Sequence, residues 1–162
     1  MKIIEEQKEL LTVDRSLSIG FIMSRDFRMV KGMPAKMNNR YKAMQVTIKN
    51  AYKKAKDPEL RSIGFKPLKE DRYIYNILAK DKYNERCTYE NLFEALVQLK
   101  DDMIAMDVKE IAIPKLAIGD DGLNWAKVKE VIELVFSDTD ITLWVCCSPL
   151  DKDNPVEEKE EE

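Results

Sequence analysis

The chain has 162 residues, of which 44% are apolar and 35% charged, and its formal net charge at pH 7 is −3. This length suits one globular domain with a sizeable core. The sequence has no histidine and only three cysteines, Cys87, Cys146 and Cys147. This composition excludes Ser–His–Asp and Cys–His nucleophile systems, zinc sites that need imidazole, and a four-thiolate zinc site within one chain. We therefore expect no metal and no cofactor.

The cysteine content and the hydropathy also predict a location. So few cysteines do not make a disulfide scaffold and are typical of a reducing compartment. No run approaches the roughly 18 consecutive apolar residues of a membrane span. The first ten residues carry three glutamates and lack the apolar core of a signal peptide. We expect a cytoplasmic protein with no membrane partner, and nothing in the sequence demands more than a monomer.

Basic and acidic residues are separated along the chain. Residues 1–70 hold 16 basic and 8 acidic side chains, whereas residues 71–162 hold 11 and 22. Within segment 25–56 there are 10 basic residues and one acid, Asp26. Such a segment suits a phosphate-bearing ligand or a nucleic acid, and a solvated lysine face on a helix has the same composition.

Short apolar segments alternate with longer segments of helical periodicity. Strands are predicted at 2–7, 17–23, 63–68, 73–79, 110–116 and 141–147, of which the first and third have the weakest patterns. Most of these strands are apolar throughout, which is typical of a sheet covered on both faces. From residue 150 the chain becomes polar and acidic. The prediction is one domain, residues 1–149, followed by an acidic disordered tail, residues 150–162.

Three helices are predicted from apolar residues at three- and four-residue spacing. The first is a basic helix whose apolar stripe runs from Met37 to Ala55. The second begins after Thr88, a residue that favours the N-cap position. The third begins near Asn124 and carries Trp125 on its apolar face. The alternation of strands and helices predicts an α/β domain with helices on both faces of a sheet.

The loops at the C-terminal ends of the strands are the expected ligand site in such a fold. The strand at 73–79 ends in Lys80, and the strand at 110–116 continues into the glycine-containing loop 117–122. A third loop, 29–34, precedes the basic helix. Glycines allow backbone N–H groups to approach a phosphate closely, but turns and helix caps use the same residues. The loops alone leave both interpretations open.

Four blocks of the sequence resemble the macrodomains in their order and spacing. These blocks are Ser-Arg-Asp-Phe-Arg-Met at 24–29, Arg-Tyr-Ile-Tyr at 72–75, Thr-Tyr-Glu-Asn-Leu at 88–92, and the segment from Pro114 to Trp125. The similarity spans about residues 3–147 and points to the branch of the terminal ADP-ribose protein glycohydrolase. That branch also contains the antitoxin macrodomain that reverses ADP-ribosylation of DNA bases. The resemblance implies a three-layer α/β/α macrodomain with a mixed central sheet.

The resemblance also implies a site and an activity, that of an ADP-ribosyl glycohydrolase. The family uses a lysine at the end of the Tyr-Ile-Tyr strand and an aspartate before the third helix, which match Lys80 and Asp121. Glu9 matches the acid that contacts adenine. The residues implied in substrate binding are Glu9, Leu10, Ser24, Gly32, Lys115, Leu116, Ala117, Ile118, Gly119 and Asp120. Ser24 and the loop up to Gly32 would flank the distal ribose, and residues 115–119 would surround the phosphates.

This implied chemistry needs neither histidine nor metal. Attack of the Lys80 amine on C1″ of the distal ribose, with opening of the sugar ring, would release the modified group and leave a Schiff-base-like adduct. Asp121 would then assist proton transfer and release of the adduct. The amine must first lose its proton, which partial burial beside other cations favours.

Departures from the family pattern keep alternatives open. The chain has Ala117-Ile118-Gly119 where the family often has Gly-Cys-Gly, and Cβ atoms there narrow the approach of the backbone to phosphates. Asp120 adds negative charge near a pyrophosphate. The alternatives are a module that binds ADP-ribose or a related nucleotide without turnover, and an ADP-ribose 1″-phosphatase.

Two substrate classes are open for a hydrolase: ADP-ribosylated acidic side chains of proteins, and an ADP-ribosylated nucleobase in DNA. The basic segment 25–56 leans toward DNA, although no ladder of aromatic residues accompanies it.

Overall fold

A six-stranded sheet forms the middle layer of the computed structural model, which describes residues 1–151. The strands are β1 (Lys2–Gln7), β2 (Ser18–Ser24), β3 (Ser62–Phe65), β4 (Ile74–Lys80), β5 (Glu110–Pro114) and β6 (Thr142–Cys147). Their spatial order is β1-β6-β5-β2-β4-β3. All neighbours are parallel except β3, which runs antiparallel to β4 at one edge. The sheet is therefore mixed. Of the predicted tail over 150–162, residues 152–162 lie outside the described residues.

Helices cover both faces of this sheet. The helices are α1 (Gly32–Arg40), α2 (Met44–Ala55), α3 (Tyr89–Ala105) and α4 (Trp125–Phe136), and a short 3-10 helix (Leu10–Thr12) follows β1. The α1–α2 pair packs on one face and the α3–α4 pair on the other, so alternate residues of each central strand enter different cores. This arrangement confirms the predicted three-layer fold. Within residues 1–151, no helix is both long enough and apolar enough to cross a bilayer.

The residues Thr88 and Asn124 correctly predicted the N-termini of two helices. The Thr88 side chain accepts a hydrogen bond from the backbone N–H of Asn91 at the start of α3. The Asn124 side chain does the same for Lys127 at the start of α4. Both are N-cap contacts, which satisfy N–H groups that lack a partner within the helix.

The prediction of one basic helix through residues 37–55 is wrong. The chain leaves helical geometry at Tyr41, and α2 begins at Met44. The Tyr41 phenol is buried, donates to Glu70 and accepts from Arg72, so it is held by groups outside the helix. Periodicity does not reveal this break, because Met37, Tyr41 and Met44 face the same core on both sides of it.

Arg72 forms a buried ion pair beneath this break. Its Nη2 lies 2.6 Å from Glu70 Oε1, and the two side chains are 0% and 8% exposed. The same Nη2 donates to the Tyr41 hydroxyl at 2.7 Å. A guanidinium in such a place depends on its carboxylate, because an unpaired buried charge is strongly unfavourable.

We expect Glu70→Gln to lower the free energy of unfolding by about 3 kcal/mol, since it leaves the Arg72 charge buried without an anion. The matched control is Asp71→Asn, which removes the partner of Lys66 in an exposed pair at 3.8 Å. That control should leave stability unchanged within error. Urea denaturation of both variants measures the difference. Equal losses would contradict the assigned role of the buried pair.

Candidate active site

A cleft with a volume of about 350 Å³ opens at the C-terminal ends of β2, β4 and β5. Ligands bind at these ends in parallel sheets, because strands are followed there by loops and helix N-termini. Ser24 ends β2 and pairs in register with Lys80, which ends β4. The other walls are formed by the β2–α1 loop with the first turn of α1, by residues 114–121, and by residues 150–151.

Ten of the twelve residues that the sequence implied for the site line this cleft. They are Ser24, Gly32, Lys80, Lys115, Leu116, Ala117, Ile118, Gly119, Asp120 and Asp121. Glu9 and Leu10 are not among the lining residues. Glu9 is exposed at the start of the 3-10 helix, and Leu10 is buried in the core beneath α1 and α2. A contact between either residue and a ligand stays a prediction.

Lys80 and Asp121 form an ion pair within the cleft. Lys80 Nζ lies 3.1 Å from Asp121 Oδ1, and the two side chains are 14% and 11% exposed. The same carboxylate oxygen accepts a hydrogen bond of 2.8 Å from the backbone N–H of Cys87, just before α3. Asp121 is therefore held by the last residue of β4 and by the segment that links β4 to α3. The side-chain polar contact of Lys80 is thus an anion.

The thiol of Cys87 is not a competing nucleophile. Burial raises its pKa to about 12, with Asp121 adding to the effect, so the thiol stays protonated at neutral pH. Cys146 and Cys147 are buried as well. Among residues 1–151, no group of three or more cysteine and carboxylate side chains is placed to hold a metal ion. Lys80 therefore stays the predicted nucleophile, with no thiolate in competition.

Two segments that line the cleft carry backbone N–H groups without an acceptor among the described residues. Those of Ala117, Gly119 and Asp120 donate no hydrogen bond to any part of the described chain. Gly32 and Met33 open α1, where the first N–H groups have no partner inside the helix. Such donors suit an anion, above all a phosphate.

The loop after β5 takes a backbone conformation that normally favours glycine. Ala117 has a φ of 62° and Gly122 a φ of 72°. The loop is closed by hydrogen bonds from the N–H of Gly122 to the carbonyl oxygen of Gly119 and from the N–H of Leu123 to that of Ala117. A residue with a Cβ is strained in this left-handed region, by about 1–2 kcal/mol. The alanine at 117 therefore adds strain at the cleft wall.

Two charged contacts connect the loops around the cleft. Lys31 Nζ lies 3.5 Å from Asp120 Oδ2, so Asp120 is paired in the free protein. The Arg28 guanidinium carbon lies 4.8 Å from the centre of the Tyr83 ring, at cation–π distance. The sequence did not single out Arg28 or Tyr83. Arg28 lies in the basic segment, a signal too broad to select one residue, and no pattern marks Tyr83.

The chain is similar in sequence to known enzymes. It is 28% identical to the ADP-ribose glycohydrolase OARD1 of Homo sapiens over 137 residues, which cover 85% of this chain and 86% of that protein. The OARD1 of Bos taurus matches with the same identity and coverage. No protein-family model matches the chain.

Solved structures match over nearly the whole described chain. The macrodomain of Thermus aquaticus DarG has a TM-score of 0.78 at 22% identity, covering 89% of this chain and 97% of its own. The macrodomain of Mycobacterium tuberculosis DarG also has a TM-score of 0.78, at 18% identity, covering 91% of this chain and 97% of its own.

The protein has the macrodomain fold. The resemblance drawn from the sequence is thereby confirmed, and the similarity to OARD1 is consistent with the terminal ADP-ribose glycohydrolase branch. Thermosipho africanus DarTG, solved in complex with ADP-ribose, matches at a TM-score of 0.79 and 17% identity, over 96% of this macrodomain and 43% of that chain.

The two glycines of the loop after β5 give a matched test of its backbone. We expect Gly122→Ala to lower the free energy of unfolding by about 1 kcal/mol, because φ is positive there and the new Cβ lies 3.3 Å from Arg86 Nη1. Gly119→Ala should be close to neutral, since nothing lies within 4 Å of its Cβ position. Chemical denaturation of both variants measures the difference, and equal losses would contradict the assigned backbone strain.

Proposed function

We propose that this macrodomain binds ADP-ribose in the cleft and removes it from a modified target, as an ADP-ribosyl glycohydrolase that uses Lys80 and Asp121. The observation that carries the proposal is the 3.1 Å ion pair, mostly shielded from solvent and located among the unpaired backbone N–H groups of the cleft. A salt bridge with only a structural role would not need to lie among such backbone donors. The similarity to a protein named ADP-ribose glycohydrolase supports the same assignment.

Binding would rest on the backbone donors and on the basic side chains of the cleft. The diphosphate would accept hydrogen bonds from the N–H groups of residues 117–120 and of the first turn of α1. Lys31, Lys115 and Arg28 supply positive charge at the same cleft. Ser24 would face the distal ribose beside Lys80.

Catalysis would begin with proton transfer inside the ion pair, from the Lys80 ammonium to Asp121, which produces a neutral amine. The amine nitrogen attacks C1″ of the distal ribose, the bond from C1″ to the modified group breaks, and the departing group takes the proton that the nitrogen loses. Asp121 then gives its proton to the ring oxygen as the sugar opens to a Schiff base on Lys80. Water adds at C1″ and the C–N bond breaks, which frees ADP-ribose and restores the amine.

The surface favours one of the two substrate classes. Lysines on and beside α1 and α2 are exposed: Lys36, Lys42, Lys49, Lys53, Lys54 and Lys56. Such a surface is suited to phosphate contacts along a nucleic acid, which favours ADP-ribosylated DNA over protein. Cleavage of the DNA substrate should then fall steeply with salt, whereas a flat response would favour the protein substrate.

A second function, binding without turnover, is favoured by two observations. Ala117 brings a Cβ and backbone strain to the wall where glycine is the family residue. Asp120 forms an ion pair with Lys31, so a diphosphate must compete with this carboxylate for the lysine. Either feature can weaken or reshape the bound state that the reaction needs.

The first test is single-turnover release of radiolabelled ADP-ribose from a modified protein, from modified DNA and from ADP-ribose 1″-phosphate. We expect Lys80→Ala and Asp121→Ala to lower the release rate by at least about 100-fold, the scale of a lost nucleophile or general acid. The matched control is Lys82→Ala, an exposed lysine two residues beyond Lys80 that should keep the wild-type rate.

Each other outcome assigns a different function. If wild type releases nothing but ADP-ribose still raises its melting temperature, the macrodomain is a binding module. Turnover of ADP-ribose 1″-phosphate alone among the three substrates, to ADP-ribose and phosphate, would make it a phosphatase. Equal rates in wild type and both variants would remove Lys80 and Asp121 from the mechanism.

Neutralising Asp120 should tighten ADP-ribose binding. Asp120→Asn removes a negative charge next to the diphosphate and leaves Lys31 without its carboxylate partner. Because both side chains are largely exposed, we expect the binding free energy to improve by at most about 1 kcal/mol, or about fivefold in Kd. Calorimetry at low and high ionic strength should show the gain shrinking as salt rises. An unchanged Kd at low salt would show that Asp120 is remote from the bound phosphates.

A further inference from the structure

Asp26 joins the two loops on either side of Lys80. Its Oδ1 accepts hydrogen bonds from the Ser24 hydroxyl at 2.5 Å and from the backbone N–H of Arg28 at 3.2 Å. Its Oδ2 accepts from the backbone N–H of Tyr83 at 3.0 Å. One carboxylate therefore connects the loop between β2 and α1 to the loop between β4 and α3.

A role in local turn formation does not explain all three contacts. The bonds from Ser24 and Arg28 span two residues each and are typical of an aspartate in a turn. The bond from Tyr83 spans 57 residues and contributes nothing to that turn. It does hold the second loop against the first.

The groups that Asp26 holds surround the proposed nucleophile. Ser24 is the register partner of Lys80, and the Arg25 N–H donates to the Lys80 carbonyl oxygen at 3.0 Å. Arg28 and Tyr83 stack on each other and both line the cleft. Asp26 itself is not among the lining residues, so it acts on the cleft through its neighbours.

The contact with Ser24 also fixes what that hydroxyl offers a ligand. Because the Ser24 proton is donated to Asp26, the oxygen keeps only its acceptor capacity for other partners. A ribose hydroxyl, which is a donor, suits such an oxygen. Burial alone would raise the pKa of Asp26, but the hydrogen bonds from Ser24, Tyr83 and Arg28 outweigh it and hold the pKa below its usual value. The carboxylate is therefore ionised at neutral pH and accepts all three bonds.

We propose that Asp26 is a positioning residue of this active site, which holds the Ser24 hydroxyl and the Arg28–Tyr83 pair in place around Lys80. The inference rests on the proposed function, because positioning matters only if the distal ribose is held against the amine. Small displacements of groups that orient a substrate cost up to about 100-fold in rate. No other described carboxylate accepts hydrogen bonds from both of these loops.

The test compares Asp26→Asn with Asp81→Asn in the full chain. Asp81 is an exposed carboxylate in the same loop as Tyr83 and pairs with Arg25 at 3.3 Å. We expect Asp26→Asn to lower the single-turnover release rate by about 10- to 100-fold while changing the Kd of ADP-ribose little, and Asp81→Asn to behave as wild type. Amide hydrogen exchange at Arg28 and Tyr83 should quicken only in Asp26→Asn.

Further outcomes separate this inference from the proposed function. Asp26→Glu keeps the charge and should recover part of the rate. A wild-type rate in Asp26→Asn, or equal losses in rate, Kd and melting temperature, would overturn the positioning role. If wild type itself releases no ADP-ribose, the proposed function fails. In that case, faster amide exchange in Asp26→Asn supports the joining of the loops, and unchanged exchange overturns it.

Discussion

The parallel strands β5, β2 and β4 are buried on both faces, and this constraint decides where polar chemistry is located. Six of the seven residues of β4 are buried, and Lys80 is the first that reaches the solvent. A strand in such a position has room for charged side chains only where it ends, because a charge between two apolar layers has no partner. The parallel direction then gathers the ends of three strands at one edge. The cleft follows from this arrangement.

Charges in the cleft and on the loops beside it are paired in the free protein. Lys80 contacts Asp121, Lys31 contacts Asp120 and Arg25 contacts Asp81. Only in the Lys80–Asp121 pair are both side chains largely shielded from solvent. Each of the other two pairs includes a largely exposed carboxylate. A diphosphate can therefore displace Asp120 at little cost, since exposed pairs contribute less than about 1 kcal/mol. This division is consistent with the proposed function, in which the cleft admits an anion and Lys80 exchanges a proton with Asp121.

The backbone around the cleft retains glycine-like geometry even where glycine is absent. The positive φ at Ala117 shows that the fold requires this turn and that the sequence accepts some strain to form it. Strain of this kind persists where surrounding contacts determine the backbone, here the closing bonds of the loop after β5. The positions of the N–H groups in this loop are therefore set by the loop as a unit.

The sequence by itself indicated the six strands, the starts of two helices and ten of the residues that line the cleft. Apolar periodicity located all six strands, and the side chains of Thr88 and Asn124 marked two helix starts, because these signals depend on neighbours within a few residues. The family motifs selected Lys80 and Asp121. Only the tertiary structure decided the break at Tyr41, the contact of Lys80 with Asp121 across 41 residues, and the bond from Tyr83 to Asp26 across 57. The last two contacts depend on β2 lying between β4 and β5. Strand order is set by the packing of the whole sheet, and local periodicity does not encode it.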